Sequence, residues 1–77
     1  MHLSRKQISK FEEKYKLTEK EIEVLKVIFD GASTNKEIAG ITKTSFRTIG
    51  IHLQNIYKKV GENKKHTLIL KILEEII

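Results

Sequence analysis

Ser45-Phe46-Arg47-Thr48-Ile49-Gly50-Ile51-His52-Leu53-Gln54-Asn55-Ile56-Tyr57-Lys58-Lys59-Val60-Gly61 is the stretch whose reading decides the fold. Phe46, Ile49, Leu53, Ile56 and Val60 recur at spacings of three and four, which predicts a helix with one core-facing stripe. A hydroxyl at Ser45 or Thr44 suits the N-cap, and Gly61 suits the left-handed residue that closes such a helix. The opposite face carries Arg47, Gly50, Ile51, Gln54 and Lys58. On a major-groove helix that face would meet base edges and phosphates. Taken alone, it reads equally well as a solvated surface.

Working outward, other helix starts are written as capping boxes. Ser4-Arg5-Lys6-Gln7, Thr18-Glu19-Lys20-Glu21 and Thr34-Asn35-Lys36-Glu37 each place a hydroxyl where it can accept from the N3 amide and an acid or amide where it can reach back. Helices are therefore expected from about residues 5, 19 and 35, with Gly31 closing the second. A last helix is expected from about residue 64 to the end. Ile8, Phe11 and Tyr15 stripe the first helix, Ile22, Leu25, Ile28 and Phe29 the second, and Ile38, Ala39 and Ile41 the short third. Apolar residues do not alternate, so the class is all-α. A short helix, a tight turn and a longer helix form the outline of a helix-turn-helix. With no proline and no repeat, the chain reads as an amphipathic arm over residues 1–16 followed by one domain over 17–77.

Composition narrows the function. A chain of 77 residues buries a small core and leaves little room for an interior active-site cavity. Cysteine is absent, which removes disulfides and thiolate metal sites, and the three scattered histidines make a poor ligand set, so neither metal nor cofactor is implied. Net charge is +5, and residues 34–66 alone hold seven Lys and Arg against two Glu. That balance suits an anionic partner. No signal peptide or membrane-length apolar run is present, so a cytoplasmic protein without a membrane role is expected. No Gly-rich phosphate loop, Ser/His/Asp grouping or H-E-x-x-H is found, so an enzyme is not expected.

At this point several motifs together resemble a family. Leu17-Thr18-Glu19-Lys20-Glu21-Ile22-Glu23-Val24-Leu25 is similar to the L-T-x-R-E-x-E-V-L opening of the LuxR/FixJ/GerE-type DNA-binding domain, with Lys20 for the usual Arg. Asn35-Lys36-Glu37-Ile38-Ala39 resembles its N-K-E-I-A helix, and the stretch from Ser45 to Gly61 resembles S-x-x-T-V-x-x-H-x-x-N-I-x-x-K-L-G. The likeness spans roughly residues 17 to 73, and with few residues before it the chain resembles the stand-alone GerE-like members. The chain also departs from the pattern. The turn before Asn35 reads one residue longer, Thr42 and Thr44 stand where apolar residues are usual, Gly50 replaces a polar residue, and Leu68 replaces a small one.

The resemblance implies a four-helix domain, here with an added N-terminal helix, that binds double-stranded DNA as a homodimer and regulates transcription. By position, Gly50, Ile51 and Gln54 would reach base edges, with Arg47 near the groove wall. Lys36, Ser45, Thr48, Lys58 and Lys59 would meet phosphates, although capping is the simpler role for Ser45. His52 reads as a packing histidine and Asn55 as a local backbone partner. On the last helix Leu68, Ile69, Leu70, Ile72, Leu73, Ile76 and Ile77 cover about 200° of the wheel, more than a core-facing stripe needs, so Leu68, Ile72 and Ile76 are expected to pair with a twin. A second reading is a helical protein-interaction module whose apolar surfaces bind a sensor protein or a polymerase subunit. RNA polymerase is a possible further partner of the DNA-binding form.

Overall fold

The computed structural model describes residues 4–76, with side chains to residue 75, and these residues form five helices and no strand. In order they are α1 (Arg5–Tyr15), α2 (Glu19–Phe29), α3 (Asn35–Thr42), α4 (Phe46–Val60) and α5 (Lys65–Ile76). The all-α class and the helix starts are as expected.

Local chemistry sets the helix ends. Ser4 and Thr18 each form the full reciprocal capping box, with Gln7 and Glu21 reaching back to the cap amide. Thr34 forms half of one. Its hydroxyl accepts from the Glu37 amide, but the Glu37 carboxylate turns instead to the hydroxyls of Thr34 and Ser33. Ser45 caps α4 by accepting from the Thr48 amide at 3.1 Å. At the other end Gly61, at φ 86° and ψ 28°, lets its own amide and that of Glu62 both return to the Tyr57 carbonyl. Gly31, at φ 115°, follows the last residues of α2 in a comparable reversal. The sequence did not mark two further caps, Lys16 and Lys43, which close α1 and α3 in the left-handed region.

α2, α3 and α4 pack on one another, and the core runs through all five helices. Val24, Ile38, Ile49, Ile56, Leu68 and Ile72 are its most deeply buried large side chains. Phe11 seats α1 on this core and stacks on Tyr15, with ring centroids 6.2 Å apart. Glu75 on α5 accepts from the Tyr15 hydroxyl and from the Lys14 ammonium, so α1 is tied to the end of α5. Lys71 on α5 donates to the Val60 carbonyl at 2.8 Å and so supports the end of α4. Together these contacts tie α1 and the end of α4 to α5.

Candidate nucleic-acid interface

The inner stripe of α4 is settled by burial. Ile49, Leu53, Ile56 and Val60 are all buried, so the helix cannot roll without exposing them. The expected fifth member of that stripe, Phe46, is a correction. It is 63% exposed, because it is the first residue of α4 and has no core beneath it at that end. Its i, i+3 spacing to Ile49 was a true helical signal, but it stops one turn short of the core.

The outer face is presented as expected. Arg47, Gln54 and Lys58 are exposed, Ile51 is 54% exposed, and Gly50 lies between them with open space where a Cβ would stand. His52 is half-buried and Asn55 is exposed. Lys36 is exposed beside the N-terminus of α3, where free backbone amides already favour an anion. Ser45 and Thr48 act on each other, because the Ser45 hydroxyl donates to Thr48 Oγ1 at 2.7 Å while accepting from the Thr48 amide. Ser45 is thus a cap first.

The turn between α3 and α4 is held by polar groups where apolar ones are usual. Thr42 is buried, and its hydroxyl donates to the Ile38 carbonyl at 2.8 Å, so its polarity is satisfied inside α3. Thr44 donates likewise to the Thr42 carbonyl at 3.2 Å.

Three expected site residues lie elsewhere than their assigned roles require. The Lys59 ammonium sits 2.6 Å from the buried Glu21 carboxylate and 3.1 Å from the Lys16 carbonyl. It is committed to binding α4 to α2 and is not held ready for phosphate. Burial alone would raise the Glu21 carboxyl, but the Lys59 ammonium and the Thr18 amide outweigh burial and hold it below the ordinary carboxylate value. No sequence signal marks this pair, since its members are 38 residues apart. Leu68 and Ile72 are the other two corrections. At 0% and 1% exposed they are spent on the chain's own core and have no surface left for a twin. The apolar residues that α5 does present are Leu70, 56% exposed, and the half-buried Ile69 and Leu73. The Ile76 side chain lies outside the described residues.

A short helix, a tight turn and a longer helix with one buried and one cation-bearing exposed face define the helix-turn-helix class. Residues 15–72 match the family model described as bacterial regulatory proteins, luxR family, the GerE domain, and the chain belongs to that family. It is therefore a DNA-binding helix-turn-helix domain of the kind that regulates transcription, a class distinct from enzymes. No match to the chain is found among curated proteins or among solved structures. Among the described residues no helix is long and apolar enough to cross a membrane.

Proposed function

We propose that this domain recognises specific duplex sequences by laying α4 in the major groove, and that it does so as a homodimer joined through α5. The observation that carries the reading is the division of α4 into a buried stripe and an exposed face bearing Arg47, Ile51, Gln54 and Lys58. Gln54 can bridge N6 and N7 of adenine, and Ile51 can press a thymine methyl, each good contact discriminating by about 1 to 3 kcal/mol. Gly50, with nothing within 4 Å of where a side chain would begin, allows the helix backbone to approach the bases closely. Arg47 stands by the groove wall. Lys36 and Lys58 supply point charges for phosphate. The Thr48 hydroxyl, accepting from Ser45, keeps its own proton to donate to a phosphate oxygen.

On α5 the residues offered to a twin are Ile69, Leu70 and Leu73. Two-fold pairing along them would give one recognition helix per half-site of a palindrome.

Selection of bound sites from random duplexes tests the reading. Wild type should return a two-fold symmetric motif rich in A·T at the contacted positions, and Gln54→Ala should lose preference at one base pair per half-site with its salt dependence unchanged. If both proteins return the same motif, Gln54 reads no base. An affinity indifferent to salt would remove the phosphate contacts, because log K should fall against log salt by about 0.9 per phosphate.

A further inference from the structure

We infer that Phe46 is a second apolar base reader, working with Ile51, and that the preferred duplex presents thymine methyl groups to both. The inference rests on α4 being the recognition helix. Among the described residues the exposed large hydrophobic side chains are Ile41, Phe46, Ile51 and Leu70, and three of these four lie in the helix-turn-helix. Leu70 already has a proposed twin to cover it. Among the described residues Phe46 is left 63% exposed, although burying an aromatic ring is among the larger gains open to a small domain.

Its setting points to a nucleic-acid occupant. Phe46 opens the first turn of α4, and the N-terminal part of a recognition helix is the part that touches base edges. On the wheel it lies about 40° from Gly50 and about 80° from Gln54, at the edge of the reading face. Gly50 stands one turn further along. Side chains on a helix lean toward its N-terminus, so a side chain at position 50 would fall across the ring of residue 46. Glycine leaves that side clear, and nothing lies within 4 Å of where its Cβ would stand. Phe46 has the exposed cations Lys43 three residues before it and Arg47 next to it in the chain. Charge of that sign beside it matches a polyanion that carries apolar groups, and the thymine C5-methyl is the apolar group of the major groove. Phe46 and Ile51 are five residues apart, about 7.5 Å along the helix and about 140° round it, so they stand at opposite edges of the reading face. They would therefore meet two different thymines.

The test uses the duplex selected by the wild-type chain, with each thymine replaced in turn by deoxyuridine, which removes only the methyl. Wild type should lose about fourfold in affinity at each of two thymines, the value of one buried methyl-sized group. Phe46→Ala should abolish the loss at one of them and Ile51→Ala at the other. Gly50→Leu, which keeps the ring but covers it, should abolish the same step as Phe46→Ala. Circular dichroism on each variant reads folding separately. A Phe46→Ala variant that still loses fourfold at both thymines would overturn the inference. So would one that weakens equally on thymine and uracil duplexes, since that would make the ring a general packing or protein-docking group. Failure of the DNA reading itself would show earlier, as a wild-type chain that selects no motif.

Discussion

Glu21 does two things at once: its carboxylate completes the cap of α2 by accepting from the Thr18 amide, and it holds the Lys59 ammonium across to α4. Being only 3% exposed, it has little water to replace either partner. Lys59→Ala should therefore cost about 1 to 3 kcal/mol, the penalty of a buried acceptor losing its partner. Lys58→Ala, one residue away but exposed, should change stability by less than about 0.5 kcal/mol and instead reduce the salt slope of DNA binding by about 0.9. Paired thermal melts and salt titrations of the two variants measure this. Equal slopes lost by both would mean that Lys59 leaves Glu21 for phosphate. The same carboxylates set the acid limit. Glu75, like Glu21, is pushed up by burial but held lower overall, here by hydrogen bonds from Lys14 and Tyr15 and by the charges of Lys14 and Lys71. Carboxyls held low in the folded chain bind fewer protons than in the unfolded one, so their stabilisation is full above the unfolded value of about 4.3 and is lost as pH falls through the lower folded values. Melting temperature should fall steeply below that pH, and Glu21→Gln should make the fall shallower. A wild-type melting temperature that stays level down to pH 3 would refute the assignment.

At the scale of helices, the ends carry the information that the middles lack. Gly61 closes α4 at φ 86°, where an L-residue is strained, and the residue type announced it. Lys16 and Lys43 adopt the same region at φ 54° and 55°, and nothing in a lysine announces it. Each holds a paired return of amides, from its own N–H and from the next residue, to a carbonyl of the helix it ends. A left-handed L-residue costs about 1 to 2 kcal/mol against the right-handed form, and glycine avoids most of that while adding entropy to the unfolded chain. Lys43→Gly should thus stabilise the domain by up to about 1 kcal/mol, a rise of roughly 4 to 8 °C in Tm for a chain of this size, and Gly61→Ala should shift it the other way. A fall in Tm for Lys43→Gly would show that the lysine side chain contributes something to the α3–α4 turn beyond its backbone angle.

For the whole molecule, the proposed palindrome raises the question of how two half-sites are reached. Its described residues extend 31 Å at most, and α4 is the one helix proposed to enter the groove. Half-sites one turn apart are separated by about 34 Å, so on the proposed reading the second helix comes from a second copy. Leu70→Glu with Leu73→Glu should leave a folded monomer, because neither side chain is fully buried, and should weaken binding to a palindrome far more than to a half-site. Leu68→Glu should instead unfold the chain, since that position is wholly buried. Sedimentation and circular dichroism distinguish the two results. A wild-type chain that is monomeric at tens of micromolar and binds one half-site tightly would end the dimer model. α1 adds to this scale too. Through Phe11 and the Lys14 and Tyr15 bonds to Glu75 it braces the helix assigned to pairing.

Periodicity and capping were enough to place all five helices, because helix starts depend on side chains within three or four residues of the backbone groups they satisfy. The family motifs likewise lie in contiguous runs, and these motifs, more than the face of Arg47, Gly50, Ile51, Gln54 and Lys58 taken alone, carried the DNA-binding reading. Tertiary packing decided what local spacing leaves open. A wheel shows that α5 is apolar over a wide arc, but only the positions of the other helices determine that Leu68 and Ile72 fill the core while Leu70 faces outward. It shows Phe46 in line with Ile49, but only the extent of the core beneath α4 leaves the ring bare. It shows two adjacent lysines, 58 and 59, but only the approach of α2 brings a carboxylate to one of them. Burial and charge pairing depend on residues tens of positions apart, and one strand of sequence carries no measure of that distance.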